Sequence, residues 1–234
     1  MRVISTAMTA ALALFALSLG INAFIVLSRM TDVYCAVAGA AAILALALWF
    51  WFGAGGLALT RRGGKDPIMA DTPTPLLKKI DQLLTEARVI LPGAQALLGF
   101  QLAVVFTLAF DRLSAQSKAV HALALALVAL CTILLMAPAA YHRIVYAGEA
   151  SPQLHHLGSK FVLAATIALA LGLSADVYVV IAKIAGAAVG FGAALLSLAA
   201  LVGLWHISPL ILRSQRNAMA QAKSRPGTVA RTPR

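Results

Sequence analysis

A chain of 234 residues, 61% hydrophobic and 12% charged, with a mean hydropathy of +0.89, is too apolar for a soluble domain, whose apolar share is nearer half. The formal charge of +11 would suit nucleic acid if Lys and Arg lined one soluble face; here they punctuate apolar runs, so membrane topology accounts for them and no nucleic-acid partner is expected. Two cysteines, Cys35 and Cys131, differ in depth by roughly 15 Å on the threading below and read as small apolar packing residues rather than a disulfide framework.

In chain order, six stretches, about 3–28, 33–59, 92–110, 120–141, 157–181 and 184–206, approach or exceed the roughly 20 apolar residues that cross a bilayer. The expected fold is therefore all-α: a polytopic membrane protein with a six-helix transmembrane bundle and one interfacial amphipathic helix. Arg2 and the small residues near Gly20 and Ala23 resemble signal-peptide features. The apolar run between them exceeds the usual 7 to 15 residues, about, of a cleaved segment, so it reads as a retained span.

Residues 1–60 then form an N-terminal transmembrane hairpin. RRGGKDPIMADTPTP, residues 61–75, clusters Gly and Pro and reads as a cytoplasmic linker. LLKKIDQLLTEARVIL, residues 76–91, repeats Leu76, Ile80, Leu83, Ala87 and Leu91 at helical spacing with Lys78, Asp81, Gln82, Glu86 and Arg88 opposite. It should lie along the inner membrane surface, with Pro92 and Gly93 marking a bend into the third span. Residues 92–212 form a four-helix transmembrane unit, and 213–234, with six basic residues, no acid and two prolines, should be a disordered tail drawn to anionic lipid.

Positive charge sets the orientation. Arg2, Arg61, Arg62, Lys65, Lys78, Lys79, Arg88, Arg143, Lys160 and six residues of the tail fall on one side, 15 of the 19 Lys and Arg. Arg29, Arg112, Lys118 and Lys183 fall on the other. Cytoplasmic loops retain Lys and Arg, so both termini are expected in the cytoplasm of a bacterial inner-membrane protein. Trp49, Trp51, Tyr141, Tyr146 and Trp205 then lie at the inner interface, with Tyr34 and Tyr178 near the outer one, as aromatic belts require.

The string EARVILPGAQALLGFQL, Glu86 to Leu102, with MAPAAYHRI, Met136 to Ile144, and LGLSADVYVV around Asp176, resembles a family of small prokaryotic membrane proteins known only as a domain of unknown function. The resemblance covers about residues 76–181. It implies a four-helix membrane unit and carries no activity, substrate or cofactor; the N-terminal hairpin lies outside it.

Polar groups inside a bilayer are costly and therefore informative. Gln101 sits near the middle of the third span, where it either lines a polar path or bonds a neighbouring helix. Gln95 is about 120° away around the same helix, so the two serve different neighbours. Asp176 is an isolated acid in its span and needs a cation or a watery cavity; Lys183, Arg112, Lys118 and His121 are the candidates from the same side.

At the other side, Pro138 should kink the fourth helix and steer Tyr141, His142 and Arg143 to the inner rim, where Arg143 can latch Glu86 in a two-pronged bond, with Arg88 nearby. His142, His155, His156 and His206 share that depth, but adjacent histidines lie about 100° apart on a helix, so neither a metal nor a haem is expected.

With no nucleophile set, phosphate loop or Cys-x-x-Cys, the chain is not expected to be an enzyme. GAAVG at 186–190 and GAGG at 53–56 offer small surfaces for closing the bundle, for self-association or for a larger membrane complex. Two functions stand side by side: a channel-like or small-solute and ion transport bundle, favoured by a continuous polar path past Gln101 to Asp176, and a non-catalytic accessory or scaffold subunit, favoured by a core closed by Leu and Ala.

Overall fold

The computed structural model describes residues 2–53, 74–146 and 149–224. Six of its helices are long and apolar enough to cross a membrane, and no strand occurs among the described residues. The molecule is an all-α helical bundle.

Helix α1, Arg2–Ser28, and helix α2, Val33–Leu48, pack on each other as a hairpin. Asp32 opens α2: its carboxylate accepts the backbone N–H groups of Tyr34 and Cys35 at 2.9 and 3.0 Å, two of the donors a helix start leaves unpaired. These bonds, the one from Cys35 foremost, hold the Asp32 carboxyl below the usual carboxylate range. A π-helical turn, Trp49–Gly53, extends α2. It buries Trp51 completely, stacks it on Phe15 with centroids 6.0 Å apart, and aims its Nε1–H at the Ile133 carbonyl, 3.0 Å away. The linker expected over 61–75, with Arg61, Arg62 and Lys65, lies outside the described residues up to position 73.

Helix α3, Thr74–Val105, runs unbroken through Pro92. The surface helix expected over 76–91 and the span expected from 92 are thus one helix. The reason is that the buried stripe continues past the proline, through Ile80, Leu83, Ala87, Ala94, Leu98 and Val105, while the one carbonyl the proline frees, at Arg88, belongs to an exposed residue that can find another donor. At about 1.5 Å per residue the helix is roughly 48 Å long and outruns a hydrocarbon slab of about 30 Å. The chain leaves the helix after Val105, earlier than the expected 110. Thr107 caps a single turn, α4, Leu108–Asp111, and Ser114 caps the next helix.

Helix α5, Ala115–Ile144, passes through Pro138 and is the hub of the bundle, packed against α1, α3, helix α6 (Pro152–Ala185) and the π-turn after α2. Where α6 crosses it, a Cβ at Gly172 would lie 2.9 Å from Val128 and 3.3 Å from the Ala124 carbonyl. Without an apolar driving force between helices in lipid, such close approach is what holds them together. Gly186 alone joins α6 to α7, Ala187–Val202; its φ of 91° and ψ of 161° are open essentially to glycine only.

A second π-turn, Gly203–Ile207, leads into α8, Ser208–Ser224. Residues 213–224 therefore continue a helix instead of beginning a disordered tail. After Pro209 the stretch holds good helix formers and meets no breaker before Pro226. Residues 225–234 lie outside the described residues.

The four basic residues assigned to the minor side gather at one end. Arg29 pairs with Asp111 at 3.1 Å, Lys118 Nζ donates to the Asp111 carbonyl and Lys183 Nζ to that of Arg112, each at 3.1 Å. These contacts mark the Arg29 end of the bundle, and its opposite is the Tyr141 end.

Candidate functional site

Near the Arg29 end, α3, α5 and α6 each contribute one polar side chain to a common point. Gln101 lies one turn from the end of α3, His121 six residues into α5, and Asp176 nine residues before the end of α6. The three meet although 75 residues separate the outer two. Gln101 and His121 are 3% exposed, and the Asp176 side chain retains 22%. The Asp176 carboxylate is the one reachable member.

The hydrogen bonds fix the protonation logic. Gln101 Nε2 donates to Asp176 Oδ2 at 2.7 Å. His121 Nε2 lies 3.0 Å from the Gln101 backbone oxygen. A carbonyl can only accept, so Nε2 carries a hydrogen and the neutral imidazole would present a bare Nδ1. That Nδ1 faces Asp176 Oδ1 at 3.6 Å. Two bare acceptors facing each other repel, and the contact turns attractive when one proton sits on either partner. Turning the Gln101 amide over would set its oxygen against the carboxylate and strengthen the same demand. Gln101 Oε1 is itself buried without a hydrogen-bond partner, so the cluster also has an acceptor to spare.

Phe110 closes the cluster from the Arg29 end. It is 1% exposed and meets His121 edge to face, 5.6 Å between centroids, while Lys118 Nζ stands 5.6 Å above the Phe110 ring. Sequence reasoning named Gln101 and Asp176 and offered His121 as one partner among four. It missed Phe110, which it placed at the end of a long span; Thr107 and Ser114, both good helix-capping residues, are the signals that a short turn interrupts the chain there.

The other named residues lie elsewhere. Gln95 is exposed on a different face of α3. Tyr141 is buried and packs edge-on against Phe161 at 5.6 Å, but Arg143, two residues and about 200° around α5, faces away and is exposed. The Glu86–Arg143 latch does not form: among the described residues Arg143 has no ion pair, and the Glu86 carboxylate accepts from Gln82 Nε2 at 3.0 Å. Arg88 is exposed. His142 and His155 are half-buried and His156 is exposed. No group of three or more His, Cys, Asp or Glu side chains converges among the described residues.

The model of a family of unknown function, DUF6328, matches residues 75–209, more than half of the 234 residues. The chain belongs to this family. The DUF6328 region begins one residue before the expected start at 76 and extends beyond 181 to take in α7 and the second π-turn. It contains Gln101, His121 and Asp176 and leaves α1, α2, Arg29 and Trp51 outside. No curated protein and no solved structure matches the chain.

Proposed function

We propose that this multi-pass membrane protein is a non-catalytic bundle of the bacterial inner membrane, with cytoplasmic termini, that takes up and releases one proton at the His121–Asp176 pair, held by Gln101, and couples that step to movement of an ion or small solute. The observation that supports this reading is the His121 Nδ1 to Asp176 Oδ1 contact of 3.6 Å, which needs a proton to be attractive. A titratable pair inside a membrane span is expensive to keep and is typical of proton relays. The test is infrared titration of the purified protein: one carboxyl or imidazole signal should change with pH in the wild type and vanish in both Asp176→Asn and His121→Phe. An identical titration in Asp176→Asn overturns the proposal.

A second reading has its own support. Between the cluster and the Tyr141 end the described core is chiefly apolar, with Ala94 and Leu98 on α3, Val128 and Ala129 on α5, and Ala165, Ala168 and Leu169 on α6, and the two buried hydroxyls there, Thr132 and Ser174, donate to carbonyls of their own helices, those of Val128 and Ala170. No continuous polar path crosses these layers, which favours an accessory or scaffold subunit. Isolation of the native assembly in mild detergent separates the two: a defined heteromeric mass favours the scaffold, a lone or self-associated chain the transport bundle.

A further inference from the structure

At the Tyr141 end a cavity of about 230 Å³ opens between α3, α6 and the second π-turn. Its polar lining is Glu86, Ser159, Thr166 and His206, beside the indole of Trp205. A donor and acceptor account decides what it can hold. Ser159 Oγ spends its hydrogen on the His155 carbonyl at 2.8 Å and Thr166 Oγ1 on that of Leu163 at 2.9 Å, so both hydroxyls turn only lone pairs outward. Glu86 is a carboxylate with one oxygen engaged by Gln82. His206 Nε2 is buried and has no partner. Three of the four groups can only accept and one carries negative charge, so the lining suits a cation rich in N–H donors.

Depth and opening identify its source. Glu86 stands nineteen residues before the end of α3, and His206 twenty residues beyond Gly186, each roughly 30 Å from the Arg29 end, which is the far boundary of the hydrocarbon slab. Leu163 and Trp205 on the rim are 53% and 36% exposed, so the cavity opens sideways, where lipid lies, and an indole face favours a cation. The π-turn itself presents Trp205 and His206 together, and such turns recur at functional sites. We infer that this cavity binds the primary-ammonium headgroup of an aminophospholipid, its N–H groups shared by Glu86 and the two hydroxyls. The site lies at the opposite end of the bundle from the Gln101 cluster and stands whether or not that cluster moves protons.

The test uses the full-length protein in detergent, equilibrated with vesicles of equal parts phosphatidylethanolamine, phosphatidylcholine and phosphatidylglycerol, followed by mass spectrometry of the lipid retained. Ethanolamine and choline headgroups carry the same charge and differ in N–H donors, so the wild type should retain the ethanolamine lipid at least about fivefold over the choline lipid. Glu86→Gln, with an unchanged melting temperature, should abolish that preference. Equal retention of the two lipids by the wild type overturns the proposal. So does preferential retention of phosphatidylglycerol at the expense of both, or binding of free ethanolamine by a protein that retains no ethanolamine lipid, which would assign the cavity to a soluble amine.

Discussion

Helix α5 and the terminal helix that begins with α7 are almost equally apolar, with mean hydropathy 2.5 and 2.2 over an 18-residue stretch of each, yet 56% of that stretch is buried in the first and 6% in the second. In water such a difference in burial would demand a difference in composition. In a bilayer it does not, because lipid solvates Leu as well as protein does, and what buries a helix is close fit and polar pairing. α5 has both: Gly172 of α6 lets the backbones touch at Ala124 and Val128, and Trp51, Gln101 and Asp176 all reach it or its side chains. Beyond the turn at Gly186 and the close crossing at Gly190, the terminal helix packs chiefly on α6 and leaves its outer face to lipid.

The largest test of this contrast uses two tryptophans. Trp51→Ala empties a fully buried site and removes the bond to the Ile133 carbonyl, and should cost about 3–5 kcal/mol in thermal or denaturant unfolding in detergent. Trp205→Ala on the exposed π-turn should change stability by less than about 0.5 kcal/mol. Equal losses would abolish the distinction.

A finer probe compares glycines. Gly172→Val must push against Val128 and the Ala124 carbonyl, and overpacking of this kind costs about 1–3 kcal/mol; a Cβ at Gly192 meets nothing within 4 Å, so Gly192→Val should leave the melting temperature in place. If Gly192→Val proved the worse of the two, α7 would have to be buried by a partner.

The smallest expected effect lies outside both helices, at Asp32. Its carboxyl is held below its ordinary value by the Cys35 and Tyr34 amides, so its contribution to the start of α2 is fully present above the unfolded value of about 3.9 and is lost as pH falls through the lower folded value. Hydrogen exchange at Tyr34 and Cys35, corrected for intrinsic rates, should quicken as the pH falls below about 3.9, by about the extent the cap weakens. Asp32→Asn caps through an uncharged oxygen and should show no such step.

The spans and the end at which Arg29, Arg112, Lys118 and Lys183 gather were legible because both follow from composition along the chain. So were Gln101 and Asp176 as polar groups inside apolar helices. Their direct bond was not: the rotation of α3 about its axis is set by which stripe packs, and Gln95, equally polar, points elsewhere. Histidine counting points to the four at the Tyr141 end, yet the ion pair of a histidine with an acid found among the described residues is that of His121, whose partners come from helices 20 and 55 residues away. Arg143 and Glu86 share a depth but not an azimuth, and sequence position reports depth far better than azimuth once a helix is packed on several sides.

The hairpin outside the DUF6328 region is fastened at both of its ends. Arg29 grips Asp111 at one and Trp51 grips Ile133 at the other, with α2 spanning roughly 24 Å between. A rod pinned at a single point can swivel in the plane of the membrane; pinned at two, it can only roll about the line joining them. The hairpin thus behaves as a splint, and Asp111, which holds it at one end, closes the same short turn that carries Phe110, the ring lying against His121.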